Sequence, residues 1–246
     1  MLELGVNIDH VATLRQARYA QTPGAHNVEP CLREAVAECQ AAGAHGITIH
    51  LREDRRHIQD ADLWAIRALP GVRLNLEIGN TPEIIAIACS ARPDSVCMVP
   101  EKRQEVSTEG GLDVVVHEDA IAASTALLKE RGIRVSLFID PDPAQVEASA
   151  RVKADMIELH TGAYANATGA QREVELKRLI AAGGQAAALG LQVNAGHGIT
   201  TGNLAPLLTI PHLQELNIGH HLISRAMTLG LRGAVHEMLG AMGSPP

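Results

Sequence analysis

Aromatic side chains are almost absent: one phenylalanine, one tryptophan and two tyrosines occur in 246 residues. Base stacking therefore has few candidates, and a formal net charge of −7 argues further against extended contact with nucleic acid or an anionic membrane. Cysteine is scarce as well. Cys31, Cys39, Cys89 and Cys97 show no CxxC spacing, which removes the basis for a zinc knuckle or a disulfide framework and leaves them expected as reduced core thiols. No apolar run reaches twenty residues, and no basic or cleavable leader is evident at the amino terminus, so the cytoplasm is the expected compartment. The GxGxxG and P-loop signatures of open nucleotide-binding sheets, the GxSxG elbow of serine hydrolases and the helical HExxH of zinc enzymes are all missing.

What is present is a rhythm. Short apolar runs recur at 2–8, 46–49, 72–76, 95–99, 134–139, 156–159, 191–193 and 213–218, each too short for a helix and most ending at a polar residue. Between them lie stretches of helical periodicity with recognisable boundaries. Thr81-Pro82-Glu83 combines a cap, a proline at the first helical position and an acid in the first turn. Gly132 and Gly190 each follow a helical run and precede a strand, as left-handed terminators do. Eight βα units without a linker or composition break predict one domain over 1–246, a closed (β/α)8 TIM barrel rather than the alternative of an open doubly wound sheet. A hydrophobic fraction of 46% supplies the core. The longest irregular stretches are Ala17–Asn27 and Lys102–Asp113; the second, with Gly110-Gly111, suits a lid over bound substrate.

Catalysis in such barrels sits at the carboxyl ends of the strands, and here nearly every strand delivers a polar group there. Strand one ends in Asn7, Asp9 and His10, strand two in His50 and Arg52, strand three in Glu77, strand four in Glu101, and strand five in Asp140. Glu158 and His160 follow on strand six, Asn194, His197 and Gly198 on strand seven, and Asn217, Gly219 and His220 on strand eight. Any single one reads as a loop hydrogen-bonder or a cap. Several imidazoles and carboxylates at one mouth do not, because burying unpaired polar groups is costly. Imidazoles titrate near neutrality and a carboxylate in a closing pocket is raised toward it, so the set can move protons both ways. Gly219 and His220 lead into a helix and favour an anion at its amino terminus, while Arg18 and Arg52 offer forks for phosphate. Arg55 and Arg56 read as members of a solvated, mutually paired loop. The histidines show no compact ligand spacing, so no metal is expected.

The segments GVNIDHVATLRQAR, GITIHLREDRRHI, LNLEI, MVPEKRQEVSTEGGLDV, VSLFID, IELHTG, VNAGHGIT and ELNIGH closely resemble, in order and from the first strand to the eighth, the pyridoxine 5′-phosphate synthase family of the deoxyxylulose-dependent vitamin B6 pathway. The resemblance implies condensation of 1-deoxy-D-xylulose 5-phosphate with 3-amino-2-oxopropyl phosphate to pyridoxine 5′-phosphate, phosphate and water, with no metal or organic cofactor, in a homo-octamer. It further implies that His50 and Glu77 accept protons, that His197 donates one and that Glu158 stabilises a transition state. Asn7 resembles a contact to the amino-ketone phosphate; Asp9, His10, Arg52, His57 and Ser107 resemble contacts to the deoxyxylulose phosphate. Arg18, Gly198, Gly219 and His220 resemble amino-ketone phosphate and product contacts. Ser107 stands where the family often has threonine, which keeps the hydroxyl. The rival readings are another phosphosugar aldolase or isomerase on the same barrel, and a phosphometabolite-binding barrel without catalysis. Against the aldolase, Lys102, Lys129, Lys153 and Lys177 all fall outside the strand ends.

Overall fold

The computed structural model describes residues 1–101 and 110–243. Eight parallel strands close into a barrel in strict chain order: β1 (Glu3–Asn7), β2 (Gly46–His50), β3 (Leu74–Ile78), β4 (Ser95–Met98), β5 (Arg134–Ile139), β6 (Met156–His160), β7 (Gln192–Gly196) and β8 (Leu213–Ile218). Each short apolar run of the sequence is one strand, and β1 closes the ring on β8 through the pairing of Gly5 with Asn217. The helices outside are α1 (Asp9–Tyr19), α2 (Leu32–Ala41), α3 (Asp60–Arg67), α4 (Pro82–Ala91), α5 (Glu118–Glu130) and α6 (Pro143–Arg151). They continue with α7 (Gly162–Asn166), α8 (Gly169–Ala188), α9 (Leu204–Leu207) and α10 (His220–Ala241), the last kinked at Gly230. Gly132 and Gly190 terminate α5 and α8 at positive φ, as their position after apolar helical runs requires. Among the described residues no helix is long and apolar enough to cross a membrane.

The two faces of each strand do different work. One set of alternate residues, including Leu4, Val6, Ile47, Ile49, Leu74, Leu76, Val135, Leu137, Ile157, Leu159, Leu216 and Ile218, packs against the helices in a single apolar cluster. Burial of each such side chain is worth about 1.5–3 kcal/mol. The other set points into the barrel and is unusually polar: Thr48, Asn75, Ser136, Glu158, Asn194 and Asn217 are all buried there. Except for Ser136, whose buried hydroxyl has no partner among the described residues, most of these groups bond one another across strands. Thr48 Oγ1 donates to Asn217 Oδ1 at 2.9 Å, Ser95 Oγ donates to Asn75 Oδ1 at 2.8 Å, and Asn217 Nδ2 donates to Glu158 Oε2 at 2.8 Å. Gly5 makes this layer possible, since a Cβ there would collide with Asn217 Oδ1. A polar barrel interior costs stability unless fully hydrogen-bonded, so its presence points to a use.

Three local expectations need correction. Ala17 and Arg18 are helical, because α1 continues to Tyr19: it buries Val11, Ala12, Arg15 and Tyr19, and Arg15 grips Asp62 through two bonds of 2.6 and 2.7 Å. Thr81 precedes α4 as expected, but its hydroxyl makes no capping bond, leaving Pro82 as the start signal. All four thiols are free, yet only Cys39 and Cys97 are buried; Cys31 is exposed and Cys89 half-buried. The proposed lid falls mostly on 102–109, outside the described residues, as does Ser107. Its returning end is fixed: Leu112 N donates to Phe138 O at 2.7 Å, and Gly111 lies so close to Ile139 and Asp140 that a Cβ would strike their backbone.

Candidate active site

A cavity of about 820 Å³ opens at the carboxyl ends of the strands, lined by residues from β1, β2, β3, β5, β6 and β8 and by loop residues that follow the strands, among them Val99 after β4 and His197 after β7. Asn7, Asp9, His10, His50, Arg52, His57, Glu77, Glu158, His197, Gly198, Gly219 and His220 all line it. The strand-end pattern therefore converges in space. Arg18 is the exception among the described candidates. It is exposed near the end of α1, its guanidinium 5.5 Å from the Tyr19 ring, and it does not reach the cavity of its own barrel.

The β1–β3 side of the cavity is a hydrogen-bonded frame. Asp9 accepts from the His50 backbone N–H at 2.8 Å and from Asn7 Nδ2 at 2.8 Å, which ties the loop after β1 to the end of β2. His50 Nε2 lies 2.9 Å from Glu101 Oε1, and its Nδ1 lies 3.8 Å from Glu77 Oε2. Burial pushes the Glu101 carboxyl up, but its bonds to His50 and the Glu53 N–H hold it below its ordinary value. An ionised Glu101 can only accept, so His50 Nε2 carries the hydrogen, and in the neutral ring Nδ1 is left as an acceptor facing Glu77. Burial, with Asp9 and Glu158 nearby, raises the Glu77 carboxyl well above the ordinary value; a bond from Asn7 opposes the shift weakly. A carboxyl so placed is a strong base once ionised.

On the opposite side, β6, β7 and β8 hold the second carboxylate. Glu158, 4% exposed, is pushed up to about 8 by burial, with Glu215 adding to the rise and the Asn217 amide opposing it. Gly196 leaves the room for it, since a Cβ at that position would overlap Glu158 Oε1. His197 follows in a left-handed conformation (φ 77°), a strained backbone of the kind found at functional positions. Burial and the neighbouring His160 lower its imidazole to about 4. His160 in turn bonds Asp140 Oδ1 through Nδ1 at 2.8 Å. Sequence reading placed Glu101, Asp140, His160 and Asn217 at strand ends without a role; only the closed barrel gives them partners.

Two cationic or N–H-rich ends flank these groups. At one, Arg52 is 3% exposed, and His57 accepts the Ile58 backbone N–H at its Nδ1 (2.8 Å), leaving Nε2–H as a donor. Arg56 lines the same end while paired with Asp54, and Arg55 is engaged by Asp60 and Glu83, as read for that loop. At the other end, Gly219 stands before α10 with Asn7 closely packed on it, and the His10 and His220 rings meet edge-on at 5.0 Å. Burial, with His220 adding, keeps the His10 imidazole below its ordinary value. Both sets of donors are of the kind that bind phosphate oxygens. Oxygens of Asp9 and Glu77 and a His50 nitrogen also lie within 4.8 Å of one another, a spacing a metal ion could use. Both Asp9 oxygens are already accepting hydrogen bonds, and Glu77 favours its protonated form, so the trio fits a proton relay better than an ion.

Proteins of known family resemble this chain over nearly its whole length. A pyridoxine 5′-phosphate synthase from Akkermansia muciniphila is 55% identical over 240 residues, covering 97% of this chain and 98% of its own. A protein of the same name from a Synechococcus strain is 54% identical over 244 residues, covering 99% of each. Among solved structures, phosphoribosyl anthranilate isomerase from Thermus thermophilus covers 98% of both chains with a TM-score of 0.60 at 16% identity, a likeness of fold alone. The family model of the pyridoxal phosphate biosynthesis protein PdxJ matches residues 4–244, and the chain belongs to that family.

Proposed function

We propose that this chain condenses 1-deoxy-D-xylulose 5-phosphate with 3-amino-2-oxopropyl phosphate to give pyridoxine 5′-phosphate, releasing phosphate and water. The observation that carries the reading is one cavity holding His50, Glu77, Glu158 and His197 together with two phosphate-compatible sets of donors. The chemistry is a series of proton transfers: an amine adds to a ketone, water leaves, a carbon beside the imine loses a proton, phosphate leaves and the ring closes. Glu77 and the Nδ1 of His50 form the accepting pair. Glu77 takes the carbon-bound proton in its ionised form, whose raised proton affinity matches it to that weak acid. Glu158, protonated at neutral pH, donates a hydrogen bond to oxygen as negative charge develops there. His197 hands a proton to the departing group. Arg52, His57, His10, His220 and the start of α10 hold the two phosphates, which fix the reactants in register.

Arg18 serves the neighbouring subunit in this reading. It sits on the exposed outer end of α1 and misses its own cavity, so it completes a site only across an interface of a homo-oligomer, the octamer of the family resemblance. Mixed oligomers of Arg18→Ala and His197→Asn should regain part of the turnover that each parent lacks; inactive mixed oligomers would return Arg18 to its own barrel. The function itself is tested by incubating the protein with the two substrates and following phosphate release and pyridoxine 5′-phosphate absorbance. Binding of both without product would leave a phosphometabolite-binding barrel, and turnover of other sugar phosphates alone would favour the isomerase or aldolase alternative.

A further inference from the structure

His197 poses a chemical problem. A proton donor whose imidazole is lowered to about 4 is neutral at physiological pH and has no second proton to give. Immediately behind it, out of contact with the cavity, lies a second imidazole that the reaction as drawn does not use. The rings of His160 and His197 are 5.1 Å apart at 60°. His160 Nδ1 is 2.8 Å from Asp140 Oδ1, and that carboxyl is held below its ordinary value, chiefly by this bond. An ionised Asp140 accepts only, so Nδ1 carries the hydrogen and Nε2 of the neutral ring is a bare acceptor. This Nε2 is buried and has no hydrogen-bond partner among the described residues. Such an orphan is costly and rare, and it calls for an explanation.

The surroundings aim it at His197. Gly162 lacks the Cβ that would overlap His160 Nε2 and lie 3.0 Å from His197 Cδ2, so the edges of the two rings meet over the same bare backbone. Phe138 of β5 packs against both rings, 5.1 Å from His160 and 6.5 Å from His197. Among the described residues, the titratable and charged groups facing His160 are Asp140, just after β5, and His197, just after β7; Arg178 of α8 acts on Asp140 by its charge.

We infer that Asp140 and His160 form a proton reservoir for His197: a proton taken up by His197 in one step is parked on His160 Nε2 and returned for delivery in a later one. The exchange balances. The N–H bond of the His197 imidazolium breaks as an N–H bond forms at His160 Nε2, leaving an imidazolium against the Asp140 carboxylate and a neutral His197 free to take or relay the next proton. The return step reverses this, and no proton is needed from outside. The transfer requires the His197 ring to turn so that a nitrogen rather than Cδ2 meets His160 Nε2. The inference rests on the reading of His197 as a proton carrier, and His160 acts through it as a positioning residue.

The test uses the full chain with His160→Gln, Asp140→Asn and the double variant, and His197→Asn in parallel. Glutamine keeps a hydrogen bond to Asp140 but stores no proton at neutral pH. Each single variant should lower kcat about ten- to a hundredfold with KM for both substrates within about twofold. The double variant should be no slower than the slower single, and the pH profile of kcat should lose the same ionisation in all three. Nitrogen-15 shifts of His160 should show Nδ1–H and a bare Nε2 at rest in the wild type. Asp140 is half-exposed, so Asp140→Asn carries the test if His160→Gln fails to fold. Unchanged kcat, additive losses, a parallel rise in KM, or an unaltered pH profile would each overturn the reservoir while leaving His197 in place. Full turnover by His197→Asn would instead remove the proposed role of His197, and the reservoir with it.

Discussion

The two ends of the barrel are built from the same residue types and treat them oppositely. At the amino-terminal floor, the Arg73 guanidinium bridges Glu3 and Glu215, Arg134 donates to Gln192 at 2.7 Å, and Asp94 accepts the Leu74 N–H at 2.9 Å. Asp155 takes the Val135 N–H at 2.9 Å and the Lys129 ammonium at 2.7 Å. Charges there close strand ends and mostly meet their opposites, although burial still raises the Glu215 carboxyl against the pull of Arg73. At the carboxyl-terminal mouth His50 and His160 also have carboxylate partners in Glu101 and Asp140, but Glu77, Glu158 and His197 all shift toward neutrality. The floor relieves electrostatic strain; the mouth stores it, which is how a barrel keeps stability and catalysis at separate ends.

Substitutions should respect that division. The largest effect belongs to Glu77→Gln, which preserves shape and removes the base: kcat should fall about 10³-fold with an unchanged unfolding transition. Steady-state turnover within tenfold of wild type would mean the proton is taken elsewhere. Glu158→Gln should separate the two roles of the mouth. The folded group titrates at about 8 against an ordinary value of 4.5. Between those values the folded chain holds a proton that the unfolded chain has lost, so stability declines as pH rises through the window. Removing the group should therefore stabilise the fold by up to about 3 kcal/mol near pH 7, fading toward pH 4.5, while activity drops. Urea midpoints at the two pH values decide it; a variant less stable near pH 7 would contradict the stored strain.

At the floor the sign reverses. Asp155→Ala should cost about 1–2 kcal/mol of stability, because it strands the Val135 N–H, and leave kcat per folded molecule as it was. A catalytic defect in the folded variant would break the separation of the two ends. The smallest expected effect is none: exhaustive chelation should leave turnover intact. Loss restored by adding back a divalent ion would convert the Asp9, His50 and Glu77 trio into a metal site.

Much of the mouth was legible because barrel geometry makes strand ends special. Once the eight apolar runs are strands, His50, Glu77, Glu158 and His197 lie at one end by arithmetic alone, and the structure brings them to one cavity. Pairings were not legible. Glu101 meets His50 across 51 residues, and Asn217 meets Glu158 across 59. No local pattern announces such contacts. Arg18 was misread as loop because Ala17 to Asn27 is poor in apolar spacing, while burial of Arg15 and Tyr19 extends the helix.

The sequence by itself determined the alternation of strand and helix, the polar residues at each strand end and the scarcity of aromatics that leaves the core to small aliphatic side chains. Those follow from periodicity and composition, which act over a few residues. Closure of β1 on β8 decided the rest. It buried a polar layer, set carboxylate against carboxylate, and left His160 Nε2, beside His197, without a partner among the described residues. Proton affinities depend on burial and on neighbours distant in sequence, and those exist only once the ring is complete.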